Sequence, residues 1–171
     1  PYQDAYTMKL PGIYGIYAVL MKIFGQTHQG IHIGLLFFNA ATIVFVFLLA
    51  KELLNPLSAF IAAVVFSVMS VSQSVQGIFA NAEHFVITFA VAGLWMLFKG
   101  FQDNGYIKLF AAGILLCLGF ITKQHGIMFC IMAVTYTILD GLRKRPIAWR
   151  PIILKLFVLR IIGLHAIGLF R

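Results

Sequence analysis

The sequence predicts an all-α fold: a polytopic transmembrane helix bundle of about five to six spans, preceded by an extracytoplasmic loop that carries a short interfacial helix. Two features of composition and one of pattern lead there. Of 171 residues, 61% are hydrophobic and only 11% charged, where soluble domains carry about 25% charged residues. Mean hydropathy is +0.96. The apolar residues fall in runs close to the length that crosses a bilayer, separated by short polar breaks. A water-soluble fold is excluded, and the bilayer is the first partner. The net charge of +8 does not imply nucleic acid, because the longest basic run is Arg143-Lys144-Arg145 and no aromatic residues are interleaved with it.

The elements follow in order. Ile13 to Phe24 is apolar except for Lys22; at about 18 Å of helix it is too short for a hydrocarbon core of about 30 Å and belongs at the interface. Ile31 to Ala50 is a span closed by Lys51-Glu52, and Asn55-Pro56 turns the chain. Leu57 to Gln76 is the next span, with Ser67, Ser70 and Ser74 on one helical face that should meet protein or water. Glu83 to Phe98 follows, then the polar loop from Lys99 to Gly105 with the turn formers Asp103, Asn104 and Gly105. Tyr106 to Ile121 and Ile127 to Leu139 flank the short break Thr122-Lys123-Gln124-His125-Gly126. Pro146 and Pro151 bracket a loop, and Ile152 to Phe170 is an uncertain last span because Lys155, Arg160 and His165 interrupt it. This gives a loop with interfacial helix over 1–30, a bundle over 31–145, and a loop with the last run over 146–171. The absence of an initiator methionine and of a leader reads as an internal piece of a longer chain.

Lysine and arginine set the orientation. With the segment before Ile31 outside, Lys51, Lys99, Lys108, Arg143, Lys144, Arg145 and Arg150 lie inside, against Lys9, Lys22 and Lys123 outside. Asp4, His28, His32, Asn81, Glu83, His84, Gln124 and His125 then share the outer side, so the candidate chemistry is extracytoplasmic.

Each candidate has a plainer reading. Glu83 at the mouth of a span needs a cavity or a cation, or is simply a carboxylate favoured by the helix dipole. Lys123 is a cation at the rim of the bundle or a snorkelling lysine. Lys9 precedes Pro11 and Gly12, read here as a turn that holds the cation in place. His28 and His32 share a helical face but have no third ligand, so solvated histidines are the default and no metal site is assigned. Cys117 and Cys130 lie inside apolar runs as packing or lipid-facing residues. No nucleophilic triad, Gly-rich phosphate loop or dinucleotide fingerprint is present. No cofactor is expected, with a divalent metal left open.

Five stretches resemble a known family. Pro1-Tyr2-Gln3-Asp4, then Lys9-Leu10-Pro11-Gly12-Ile13-Tyr14, then Phe24-Gly25, are similar to the first extracytoplasmic loop of glycosyltransferase family 39, the group of protein O-mannosyltransferases and the lipid A aminoarabinose transferase within the GT-C superfamily. Ala80-Asn81-Ala82-Glu83 resembles its Asn-x-Glu, and Gly119-Phe120-Ile121-Thr122-Lys123-Gln124 resembles its glycine-to-lysine segment, with three residues between Gly119 and Lys123. The resemblance covers residues 1 to 145. It implies a bacterial inner-membrane enzyme that moves a sugar from a polyprenyl-phosphate donor to an extracytoplasmic acceptor, whether lipid, polysaccharide or protein. By family position Lys9 and Lys123 would bind the donor phosphate, Glu83 and Asp4 would be the catalytic carboxylates, Glu83 lining the sugar or acceptor pocket and Asp4 orienting groups in the loop, and Asn81, His84, Gln124 and His125 would line the pocket. The family's principal aspartate would lie upstream of Pro1, so this chain alone is expected to be inactive. A secondary transporter fragment, using intramembrane charges such as Arg160, and a non-catalytic membrane scaffold are the alternatives.

Overall fold

In the computed structural model, which describes residues 10–72 and 81–143, Pro11 and Gly12 do not form the expected turn. They are the first residues of helix α1 (Pro11–Phe24). A proline at the first helical position has its φ preset and loses only an N–H that would be unpaired there anyway, so it starts a helix as readily as it makes a turn. Gly25, with φ of +89°, closes α1 in the left-handed half of backbone space. Helix α2 (His28–Leu53) begins at Thr27, whose hydroxyl accepts from Gly30 N–H. Asn55 caps α3 (Pro56–Val71) through Ser58 N–H at 2.8 Å. These caps satisfy orphan amides at the helix starts.

The chain continues through α4 (Ala82–Gln102), α5 (Tyr106–Thr122), a single 3₁₀ turn at Gln124–Gly126, and α6 (Ile127–Arg143). The loop foreseen from Lys99 shortens to Asp103, Asn104 and Gly105, since Lys99 to Gln102 complete the last turn of α4. Asn104 adopts positive φ, a conformation asparagine tolerates better than most residues. Among the described residues all regular structure is helical. The His28–Leu53, Ala82–Gln102 and Gln124–Arg143 stretches are long and apolar enough to cross a membrane, whereas Pro56–Val71 and Tyr106–Thr122 are shorter apolar helices. The architecture is the helical membrane bundle expected from the sequence. The far end of the second expected span, with Ser74 and Gln76, and the Ile152 to Phe170 run lie outside the described residues.

Helices α2 and α4 run parallel. Phe38 meets Phe85 edge-on at 4.8 Å, Thr42 and Thr88 share a hydroxyl–hydroxyl bond of 2.5 Å, Phe45 lies beside Trp95, and Glu52 pairs with Lys99 at 2.7 Å. One hydroxyl donates to the other, which in turn donates to a carbonyl within reach, that of Phe38 or His84, so both hydroxyls are paired between the helices. Helix α5 runs antiparallel to α4, with Gly93 and Gly100 set against Leu116 and Leu109. The core between them holds Leu94, Leu97, Leu109, Ala112 and Leu116, with Ala133 of α6 packed on it. Cys130 donates to the Leu116 carbonyl and Cys117 is buried, so both cysteines serve packing. Ser70 is buried and Ser67 half-buried on the face of α3 that carries the buried Ala59 and Ala63, so of the protein or water expected to meet this serine face, the described part meets protein.

Candidate active site

The ends of the bundle differ in how many lysines and arginines they carry. Parallel α2 and α4 and the antiparallel α5 and α6 put Lys51, Glu52, Lys99, Asp103, Lys108, Asp140 and Arg143 at one end. There Lys108 pairs with Asp103 and holds its carboxyl below the usual range. At the opposite end stand His28, His32, Asn81, Glu83, His84, Lys123, Gln124 and His125. The structure therefore gathers the described polar candidates at one end, as their sequence positions suggested. Asp4 and Lys9 lie outside the described residues.

At that end Glu83, in the first turn of α4, forms an ion pair with Lys123 from the break between α5 and α6. The break positions the lysine. Thr122 ends α5 with its hydroxyl on the Leu118 carbonyl, and Lys123 takes up extended backbone before Gln124–Gly126 restart the helix. Glycine makes this tight corner possible, because a Cβ on Gly126 would lie 2.5 Å from the Gly119 carbonyl. Both ends of the ion pair remain accessible, at 54% for Glu83 and 35% for Lys123. A pair this open contributes at most about 1 kcal/mol to stability, so its geometry matters more for chemistry than for folding. His84 acts on the Glu83 carboxylate from the next position.

Helix α1 lies across this end. A Cβ on Gly12 would fall 2.5 Å from the Ile121 carbonyl oxygen and 2.8 Å from Thr122 N, so the backbone of α1 abuts the residues that lead into Lys123. Ile13 and Leu20 are buried in a cluster with Leu35 and Phe85. Tyr17 sits edge-on to Phe85 at 6.0 Å, and its phenol is held above its ordinary pKa first by burial and then by the charge of Glu83. Sequence reasoning passed over Tyr17. Its signal was the apolar and aromatic stripe Ile13, Tyr17, Leu20 and Phe24, at helical spacing on a segment read only as interfacial.

The His28 and His32 rings lie 4.6 Å apart at 35°, and among the described residues no group of three metal-ligating side chains converges. An exposed carboxylate and an accessible ammonium beside polar side chains can accept a proton and stabilise an anion at one membrane face. Residues 9–166 match the family model described as dolichyl-phosphate-mannose-protein mannosyltransferase. The chain belongs to this family. It is a GT-C membrane glycosyltransferase of the mannosyltransferase type, and the family match continues past residue 145, where recognisable motifs ended. It starts at Lys9 and so leaves out the Pro1 to Asp4 stretch. Neither the curated proteins nor the solved structures yield a match.

Proposed function

We propose that the Glu83–Lys123 end of this mannosyltransferase-family bundle faces the extracytoplasmic side of a bacterial inner membrane and transfers a sugar from a polyprenyl-phosphate donor to a lipid, polysaccharide or protein acceptor. The ion pair carries the reading: two helices converge to hold a cation and a carboxylate at the end of the bundle that has fewer lysines and arginines. The reaction breaks the bond between the sugar's anomeric carbon and the phosphate oxygen and forms one to the acceptor oxygen. The hydroxyl proton passes to a carboxylate, and the polyprenyl phosphate leaves as an anion, through an oxocarbenium-like transition state.

Lys123 offsets the charge that develops on the leaving phosphate. Lys9 joins it from the chain before α1. By the family resemblance it would meet the same phosphate. Glu83 lines the sugar or acceptor pocket with Asn81, His84, Gln124 and His125, and Asp4 orients groups in the preceding loop. The test is release of radiolabelled sugar from polyprenyl-phosphate donors by membranes that contain the complete protein. Lys123→Ala should depress transfer at least ten-fold. Unchanged transfer in that variant would remove the phosphate role.

A further inference from the structure

The helices that meet at the Glu83–Lys123 end do not reach the same height. The bond between Thr42 and Thr88 fixes α2 against α4 in mid-bundle, and the pairs Glu52 with Lys99 and Asp103 with Lys108 bring α2, α4 and α5 level at the opposite end. From there the helical rise carries α4 from Lys99 to Glu83, and α5 from Lys108 to Lys123, over about 22–24 Å. The same rise carries α2 from Lys51 to His28 over about 34 Å. Of the three, only α2 covers a hydrocarbon core of about 30 Å between its polar ends. With the opposite ends level, the shortfall of about 6 Å falls at Glu83 and Lys123, and α2 passes them by about 13 Å.

What stands beyond that level is apolar. Ile33 and Leu36 of α2 are exposed there. Helix α1 climbs beside them, with Leu20 against Gly34 and the Phe24 carbonyl against Gly30, and it turns Tyr14, Val19 and Ile23 outward. Lys22 is the only charged residue of α1. A helix that rests on a membrane surface keeps a charged or polar face to water, whereas one that is apolar on every side is immersed.

We propose that Glu83 and Lys123 stand below the headgroups, in a water-filled notch of their own leaflet, and that α1 with the first turns of α2 forms the notch's membrane-embedded wall. The partner of this surface is the lipid leaflet itself. An ion pair whose side chains are 54% and 35% exposed cannot face acyl chains, because an uncovered charge there is costly. The bilayer instead thins beside helices too short to cross it, which lets water and headgroup atoms reach the pair. The inference goes beyond the sugar-transfer reading and does not depend on it; under that reading, the acceptor oxygen has to descend into the leaflet to meet the donor.

The experiment places single cysteines in a cysteine-free background of the complete protein in nanodiscs. Gln29→Cys, Ile33→Cys, Leu36→Cys and Val44→Cys lie on one exposed face of α2, and Ile23→Cys on the exposed face of α1; each carries a nitroxide label. Collisions with oxygen, which gathers in hydrocarbon, should gain on collisions with a water-soluble nickel chelate from Gln29 through Ile33 and Leu36 to Val44, with Ile23 close to Ile33. Nickel collisions as frequent at Ile33, Leu36 and Ile23 as at Gln29 overturn the proposal, because the pair would then lie at the surface. The water in the notch has its own readout. Unlabelled Glu83→Cys should react with a water-soluble thiol reagent while Leu36→Cys, about level with it, should not. Equal reactivity at the two positions, whether high or low, overturns the notch. Neither measurement uses a donor, so unchanged transfer in Lys123→Ala would remove the phosphate role and leave the depth of the pair standing.

Discussion

Lys123 stands in extended backbone, φ −155° and ψ 144°, between two helices, and neither neighbour can shift without disturbing a packed helix end. Its ammonium is therefore placed by the backbone rather than left to wander on a flexible surface loop. That argues for a shared phosphate with Lys9 and gives a measurable expectation. Lys9→Ala and Lys123→Ala should each weaken use of a polyprenyl-phosphate donor, and the double variant should lose less than the sum, because two cations on one anion are coupled. Additive, small losses would mean two snorkelling lysines. Glu83→Gln tests the carboxylate at the same site. Transfer should fall by about ten-fold or more, consistent with loss of a charged hydrogen-bonding group, and unchanged transfer would leave Glu83 with a structural role alone. The residue types and their common end of the molecule were legible in the sequence. The ion pair was not, since its partners are 40 positions apart and only the packing of α4 against α5 brings them together.

At the scale of elements, the corner between α5 and α6 depends on the absence of a side chain at Gly126. Its Cβ would meet backbone atoms of Gly119 and Phe120 at 2.5–2.6 Å, which have no rotamer to yield. Gly126→Ala should cost about 1–3 kcal/mol in thermal or denaturant unfolding in detergent, with a further loss of donor binding as Lys123 is displaced. Gly15, which meets nothing within 4 Å, is the control, and Gly15→Ala should be neutral to stabilising. In the mid-bundle, Thr88→Val removes the 2.5 Å bond between α2 and α4 and should cost roughly 0.6–1.7 kcal/mol, the range of interhelical hydrogen bonds in membrane proteins. The helices were legible because apolar runs and polar breaks need no partner to be recognised. Pro11 and Gly12 were misread because the same pair of residues begins a turn or a helix, and what decides is the seat that Ile121 and Thr122 make for Gly12. The alternation of spans gave α2 and α4 the same direction, but their pairing was not legible, since nothing in the linear pattern matches Thr42 to Thr88 or Glu52 to Lys99.

Among the described residues lysine and arginine are more numerous at the end that holds Lys99 and Lys108 than at the Glu83–Lys123 end, and that asymmetry predicts how the molecule sits in the membrane. In a cysteine-free background, a cysteine at Gln102 or Asn104 should resist a membrane-impermeant thiol reagent in intact cells, while one at Asn81 should react. Labelling of the opposite set would invert the orientation and place the Glu83–Lys123 end in the cytoplasm. The seat of Gly12 on Ile121 and Thr122 also sets a timetable for biosynthesis. The ribosome adds roughly 5–20 residues each second, so α1 waits several seconds for the segment it rests on to be made. During that interval Gly12 lacks its seat at the end of α5, and α1 is held by the contacts of Ile13, Tyr17 and Leu20 with Leu35 of α2 and Phe85 of α4. The Glu83–Lys123 end is thus completed late in synthesis, and until Lys123 has been made it stands open to insertion chaperones and quality-control proteases.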